Sequence, residues 1–180
     1  MKFEKIVNVN SRKFRDVWEV YEHSFPRDEK RTFEDQIKIM PKKSHALFYV
    51  SDRKFLGIME TWDLNNAVLI EHFAVKENLR NRGFGTKIIS TYIRKSKKTI
   101  VLETEKPVRH VQKRRINFWK RLGFHLNKHD YIQPAYDETK KPVKMFLMSY
   151  PKPINKKCFF KIRNDTHKTV YGLEKPLMKI

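Results

Sequence analysis

Cysteine is almost absent from this sequence of 180 residues. Cys158 is the only one, which excludes an internal disulfide and any zinc site built from several cysteines. Long apolar runs are also missing, since no stretch approaches the roughly 18 residues that a membrane-spanning helix needs. The first residues, M-K-F-E-K-I-V, lack the apolar core of a signal peptide. These absences favour a cytoplasmic protein with no membrane partner.

Acidic residues are scarce relative to basic ones. Lysine and arginine number 40 against 20 aspartates and glutamates, which gives a formal net charge of +20. Such a charge attracts polyanions, and both nucleic acid and an anionic small molecule fit that description. The basic residues are spread along the chain and are mostly lysines, a distribution typical of a solvated surface. We therefore do not expect nucleic acid to be a partner.

The length and the 39% hydrophobic content favour one folded domain. We expect a single domain over residues 1–180, with a core of about 1–150 and a helical extension of about 151–180. Residue spacing predicts strands within 1–10 and at 45–50, 55–62, 68–75, 99–103, 124–131 and 143–150. It predicts helices over 11–24, after 32, over 84–97, over 108–122 and after 155.

Three polar residues are placed to cap helices: Ser11, Thr32 and Asn155. In the short helix after Thr32, we expect Phe33, Ile37 and Met40 to form the buried stripe. The helix after Asn155 is expected to dock on the sheet, and a homodimer contact is the alternative.

The chemistry is centred on residues 68–93. The run V-L-I-E-H-F-A-V predicts a strand, and the apolar spacing after Gly83 predicts a helix. The turn between them is basic and contains two glycines, so a phosphate could approach the main-chain N–H groups at the amino end of the helix. The turn has too few glycines for a Rossmann fingerprint and lacks the Gly-Lys-Ser/Thr of the NTPase loop. The predicted pyrophosphate ligands are Arg80, Asn81, Arg82, Gly83, Phe84, Gly85 and Thr86.

Two motifs give these residues a family context. Arg80-x-x-Gly83-x-Gly85 resembles the acetyl-CoA signature of the GNAT superfamily of acyl-CoA N-acyltransferases. The later F-W-K-R-L-G-F, residues 118–124, looks like the second GNAT signature, and the R-R-I before it also occurs in some bacterial members. The resemblance covers about residues 1–150. It implies an α/β fold with a central mixed, mostly antiparallel sheet, a splayed parallel strand pair and flanking helices.

The resemblance also implies how the cofactor binds. The pantetheine arm of acetyl-CoA would insert at the splayed pair and bond to the backbone of Phe73, Ala74 and Val75. Asn117 and Trp119 are further expected contacts. GNAT enzymes often have a tyrosine at the position of Trp119, which protonates the departing thiolate, and an indole cannot do so. Tyr131 is our candidate for that acid, and Tyr136 is the alternative.

A base is needed as well, because an alkylammonium cannot attack a thioester until it loses a proton. Glu71, in an otherwise apolar strand, is our candidate, and an ion pair with a nearby arginine is its alternative role. His72, expected on the opposite face of the strand, and Glu103 are weaker candidates. His110, His125 and His129 have no metal-ligand spacing with one another or with nearby carboxylates, so we expect no metal.

The sequence thus predicts an N-acetyltransferase in which a primary amine attacks acetyl-CoA directly. The acceptor would be a small-molecule or protein amine. The charged segment F-P-R-D-E-K-R, residues 25–31, is expected to be a surface loop, and acceptor contact is its alternative role. The competing functions are an acyl-CoA sensor without catalysis and a basic RNA-associated protein with a GNAT-like fold.

Overall fold

The computed structural model of the protein describes residues 1–178; the last two residues of the predicted extension, 179 and 180, lie outside the described residues. Within these described residues the strands are β1 (Lys2–Lys5), β2 (His45–Asp52), β3 (Lys54–Asp63), β4 (Ala67–Val75), β5 (Thr99–Glu105), β6 (His125–Gln133) and β7 (Val143–Tyr150). The α-helices of the same residues are α1 (Arg12–Ser24), α2 (Phe33–Ile39), α3 (Phe84–Lys95), α4 (His110–Arg121) and α5 (Lys156–Thr169). Within residues 1–178, no helix combines the length and the apolar character that crossing a bilayer requires.

The strands form one mixed sheet in the order β1-β2-β3-β4-β5-β7-β6. Strands β4 and β5 run parallel and the other neighbours antiparallel, so the predicted fold class is confirmed. The splay of the parallel pair stays a prediction. The chain divides into two compact units, the first made of Met1–Trp62 and Ile70–Lys95, the second of Asp63–Leu69 and the chain from Ser96 onward. The single-domain assignment also stays a prediction.

In the first unit, α1 and α2 begin at the predicted caps. Ser11 accepts a hydrogen bond of 3.1 Å from the N–H of Phe14, and Thr32 accepts one of 3.2 Å from that of Asp35. The predicted stripe of α2 is wrong in part, because Phe33 is 41% exposed while Gln36 and Ile39 are buried. Gln36 is buried because its side-chain amide donates a hydrogen bond to a buried carboxylate. This bond decides which face of α2 is buried, although Phe33 is the more apolar residue.

In the second unit, α5 is the helix predicted for the C-terminal extension. Asn155 caps it by accepting a 2.9 Å bond from the N–H of Cys158. Apolar side chains on one face of α5 are buried, including Phe159 and Ile162. The helix ends at Thr169, and Gly172 follows it with a φ of 70°, in the left-handed region that glycine favours.

Candidate active site

The turn between β4 and α3 has the geometry expected of an anion cradle. Asn81 and Gly83 adopt φ values of 62° and 76°, and α3 begins at the next residue, Phe84. A β-carbon built on Gly83 would have no atom within 4 Å, so the backbone conformation and not crowding calls for glycine. Open space therefore lies beside the first N–H groups of a helix of 12 residues.

Arg80 and Arg82 differ in what they contact. The Arg80 guanidinium donates 3.0 Å bonds to the main-chain oxygen of Val75 and to Ser24 Oγ, which ties the turn to the end of β4 and to α1. Arg82, Asn81 and Thr86 are exposed around the helix start. Arg80 thus has a scaffolding contact already, and the pyrophosphate role of all these residues stays a prediction.

Gly57 in β3 was missed by the sequence reasoning. A β-carbon at this position would lie 2.2 Å from the main-chain oxygen of Ala74 and 2.9 Å from the Cα of Val75. The N–H of Lys76 also donates a 2.8 Å bond to the main-chain oxygen of Leu56. Strand β3 therefore approaches the end of β4 too closely for any side chain, at the backbone predicted to bind pantetheine. The only sequence signal was an isolated glycine inside a strand.

Glu71 lies at the centre of a buried ion pair. Its side chain is 1% exposed, and Oε1 is 2.8 Å from a guanidinium nitrogen of Arg31, itself 4% exposed. Its other oxygen, Oε2, accepts a 2.6 Å bond from the indole N–H of Trp62. The alternative role of Glu71, an ion pair with a nearby arginine, is therefore present, while its role as a base stays a prediction.

A second buried carboxylate, Glu60 in β3, binds three polar side chains. Its Oε1 accepts from Gln36 Nε2 at 2.5 Å and from His45 Nε2 at 2.7 Å, and its Oε2 accepts from His72 Nδ1 at 2.8 Å. We call these four residues the Glu60 network. All four are at most 2% exposed. The sequence reasoning missed Glu60, Gln36 and His45, whose only signal was their polarity within otherwise buried elements.

The Glu60 network contains a buried ion pair. Burial favours the neutral acid, yet hydrogen bonds from His45 and His72 hold the pKa of Glu60 well below its usual range. Burial likewise opposes the charged form of His72, but the bond to Glu60 and the charges of Glu71 and Glu60 raise its pKa. Both ring nitrogens of His72 face acceptors, since Nε2 lies 2.8 Å from the main-chain oxygen of Glu29. We therefore assign an imidazolium to His72 and a carboxylate to Glu60.

His72 does not point away from Glu71 as expected for strict alternation along a strand. Its Nδ1 lies 3.8 Å from Glu71 Oε2, so the polar tips of these neighbours converge. The two ion pairs form one continuous buried polar region in the first unit. His72 was also a weaker candidate for the base. Its two ring nitrogens donate to Glu60 and to the main-chain oxygen of Glu29, so neither nitrogen can accept a proton in this arrangement.

The segment of residues 25–31 is anchored to this polar region through main-chain atoms. His72 donates to the oxygen of Glu29, and the N–H of Arg31 donates a 2.8 Å bond to the hydroxyl of Tyr21. Burial, together with the charge of Glu60, raises the pKa of Tyr21 well above its usual value, so the hydroxyl stays protonated. These two hydrogen bonds therefore attach the predicted surface loop to β4 and α1.

Glu60, Glu71 and His72 each offer one possible metal-ligand atom, and these atoms lie within 4.8 Å of one another. The oxygens of Glu60 and Glu71 already accept hydrogen bonds from neutral and cationic donors, and the positive charge of Arg31 adjoins them. A cation would have to displace those donors, and the expected absence of a metal stays a prediction.

In the second unit, the structure brings Tyr131 to Glu103, two residues that sequence reasoning proposed separately. The hydroxyl of Tyr131, in β6, donates to Glu103 Oε1, in β5. Tyr131 is 1% exposed. The ring of Tyr136, the alternative acid, lies 5.2 Å from that of Tyr171. The tyrosine predicted as the acid therefore has a carboxylate partner, and its catalytic role stays a prediction.

Trp119 and Asn117 lie on α4 in the same unit. Trp119 is 6% exposed, and its ring centroid lies 5.1 Å from those of both Phe118 and Phe124. Asn117 is exposed. Trp119 thus packs in an aromatic cluster, and contact of either residue with a cofactor stays a prediction.

Comparison with known proteins gives a consistent likeness. The sequence pattern described as "Acetyltransferase (GNAT) family" matches residues 11–124. A solved structure assigned to a GNAT-family acetyltransferase of Bacteroides thetaiotaomicron is 32% identical, has a TM-score of 0.91, and covers 97% of this chain and 100% of that chain. No curated protein matches the chain.

More distant structures are similar in fold alone. The ribosomal-protein-S18-alanine N-acetyltransferase of Escherichia coli is 14% identical, with a TM-score of 0.58 over 86% of this chain and 95% of that chain. An acetyltransferase of Bacillus subtilis in complex with CoA is 16% identical, with a TM-score of 0.55 over 82% of this chain and 97% of that chain.

Proposed function

Because the chain belongs to the GNAT family of acetyltransferases, we propose that it transfers the acetyl group of acetyl-CoA to a primary amine of a small molecule or protein in the cytoplasm. The observation that carries the proposal is the turn in which Asn81 and Gly83 adopt positive φ directly before α3. The open space there suits a pyrophosphate bound by main-chain N–H groups. The Bacillus subtilis neighbour, which was solved with CoA, supports the same cofactor.

Three groups of residues are proposed to bind acetyl-CoA. Main-chain N–H groups over residues 81–86 and the side chains of Arg80 and Arg82 hold the pyrophosphate. The backbone of residues 73–75 pairs with the pantetheine arm and supplies an N–H to the thioester oxygen. The absence of a side chain at Gly57 supports this placement, because it keeps β3 close to that backbone. Asn117 and Trp119 are proposed as further contacts.

The proposed reaction is a direct attack without a covalent enzyme intermediate. Glu71 accepts the first proton that the acceptor ammonium loses, and the free amine then forms its C–N bond as the C–S bond breaks. The nitrogen gives its second proton to water as the neutral amide forms. Tyr131 gives a proton to the departing thiolate. A thiol has a pKa of ~8.5, so the acid assists departure without being indispensable. Both side chains return to their starting states by exchange with water.

The test of this function is release of CoA thiol from acetyl-CoA in the presence of a panel of amines. We expect release that depends on one class of amine and a product with the mass of an acetylated amine. Acetyl-CoA binding in calorimetry without thiol release for any amine would favour a sensor. Salt-dependent RNA binding that acetyl-CoA does not compete with would favour the RNA-associated function.

The role of Glu71 as a base predicts a particular pH profile. In Glu71→Gln, kcat should fall most at low pH, where the acceptor is mainly ammonium, and by about 10²-fold there, as expected for loss of general-base catalysis. The matched control is Arg31→Met, which breaks the same 2.8 Å ion pair but keeps the carboxylate. Steady-state rates across pH measure both variants. If the two variants lose activity equally at every pH, Glu71 serves only as the partner of Arg31.

A further inference from the structure

A carboxylate shared by two tyrosines links the C-terminal extension to the proposed acid. Glu103 accepts from Tyr131 through Oε1, and it also accepts from the hydroxyl of Tyr171, which lies 3.0 Å from Oε2 and 3.2 Å from Oε1. Tyr131 is almost fully buried, whereas Tyr171 and Glu103 are half-buried. Tyr171 follows α5 and lies outside residues 11–124, which match the family pattern.

The end of α5 is held in place beside Tyr131. His167 Nε2 donates a 2.9 Å bond to the main-chain oxygen of Ile132, and His167 Nδ1 accepts a 3.2 Å bond from the N–H of Leu177. Burial, with a further contribution from the charge of Arg163, lowers the pKa of His167 to about 4 against the effect of the bond to Ile132. The neutral ring therefore uses its one donor and its one acceptor. Both bonds fix the path of the chain from the end of α5 to Tyr171.

We infer that Tyr171 is a positioning residue for Tyr131, acting through Glu103, so that the C-terminal extension completes the proposed active site. By bonding to both oxygens of Glu103, Tyr171 fixes the plane of the carboxylate. The carboxylate in turn holds the Tyr131 hydroxyl. This inference rests on the proposed function, in which Tyr131 handles a proton.

The hydrogen bonds from Tyr171 also favour the ionised form of Glu103. Ionisable groups near the two tyrosines include Arg163 and His167 on α5, and Tyr136, whose ring faces Tyr171. Removing the Tyr171 hydroxyl should therefore let Glu103 take up a proton at a higher pH, and a neutral Glu103 holds the Tyr131 hydroxyl less firmly than the carboxylate does.

The experiment compares Tyr171→Phe with the wild-type chain across pH. The variant keeps the ring that lies 5.2 Å from Tyr136, so we expect its thermal midpoint to stay within about 3 °C of wild type, the change for loss of roughly one hydrogen bond. We expect kcat to fall about 10-fold and the acid limb of its pH profile to move to higher pH, since a donor to an anion is lost. The KM for acetyl-CoA should stay unchanged.

Two further variants make the outcome decisive. Tyr150→Phe is the matched control, because this tyrosine packs on Phe124 in the same unit and should keep the wild-type pH profile. If Tyr171 acts through Tyr131, the double variant Tyr131→Phe/Tyr171→Phe should be no slower than Tyr131→Phe alone.

A purely structural Tyr171 would lower the thermal midpoint without moving the acid limb, and additive losses in the double variant would overturn the inference as well. Should Tyr171→Phe not fold, Glu103→Gln provides a second readout, because it removes the carboxylate through which Tyr171 is proposed to act and should lower kcat by about the same factor. If the wild-type chain itself neither binds acetyl-CoA nor releases thiol, the proposed function fails. An active wild type whose profile matches that of Tyr171→Phe would defeat only the inference about Tyr171.

Discussion

Replacing Gly83 with valine should weaken acetyl-CoA binding by roughly 10- to 100-fold. A β-branched residue at the observed φ of 76° carries backbone strain of about 1–3 kcal/mol. A difference of about 1.4 kcal/mol in binding free energy changes the affinity tenfold. The turn would relax to another conformation and would redirect the N–H groups that open α3. Calorimetric titration with acetyl-CoA measures the loss, and thermal unfolding reports whether the fold persists.

Gly172 supplies the matched control for this substitution. Its φ of 70° is nearly the same, and a β-carbon there also has no atom within 4 Å. Gly172→Val should therefore carry the same backbone strain at a site far along the chain from the turn, and leave the dissociation constant for acetyl-CoA unchanged. Equal losses of affinity in both variants would mean that strain in general weakens binding, and the turn would no longer be the cofactor site.

Among the substitutions proposed here, replacing Glu60 with glutamine should lower the free energy of unfolding most. The substitution leaves the His72 imidazolium without its hydrogen-bonded counter-charge and puts an amide where three donors converge. Breaking a buried, hydrogen-bonded charge pair from one side costs about 3–5 kcal/mol, which corresponds to a fall of roughly 10 °C in the melting midpoint of a chain of this size. Urea unfolding and calorimetry measure both quantities.

The control is Glu4→Gln, which breaks a surface pair with Lys13 whose side chains are 51% and 46% exposed. Exposed pairs contribute little, so this variant should stay within about 1 kcal/mol of wild type. If both variants lost a similar free energy of unfolding, the burial of Glu60 would not be what makes its contribution to stability large.

The pH dependence of the Glu60 effect has a definite sign. The lowered pKa of Glu60 means that its contribution to stability is complete above its unfolded pKa of ~4.3 and is lost as the pH falls through the folded value. The raised pKa of His72 means that its contribution is complete below ~6.5 and is lost as the pH rises through its folded value. The difference between wild type and Glu60→Gln should thus be greatest between about pH 4.3 and pH 6.5 and smaller at pH 9.

Local signals in the sequence were sufficient for the helix starts and for the glycine-containing turn between β4 and α3. Ser11, Thr32 and Asn155 each bond to an N–H three residues ahead, an interaction that depends on a few neighbouring residues alone. The glycine-containing turn was equally visible, because a positive φ at Gly83 requires nothing beyond its immediate chain. Such interactions can be predicted without knowing which distant elements meet.

The Glu60 network could not be predicted in the same way. Its members come from α2, β2, β3 and β4, and each is an unremarkable polar residue until the four side chains are brought together. The same holds for Tyr171, which lies 68 residues after the carboxylate it bonds to. Apolar spacing alone gave the wrong buried face for the start of α2, since Gln36 is buried while Phe33, three residues earlier, is exposed.

The way residues 25–31 are anchored bears on how substrate preference could be re-engineered. Two of the bonds that hold this segment use the main-chain oxygen of Glu29 and the main-chain N–H of Arg31, and their partners are His72 and Tyr21. The side chain of Lys30 adds a further anchor, since its Nζ donates to Glu22 Oε1 at 2.5 Å and to the main-chain oxygen of Glu22 at 2.6 Å. A combinatorial library at positions 27 and 28 could sample new acceptors while it leaves the atoms of these bonds in place, provided that Tyr21, Lys30 and His72 are retained.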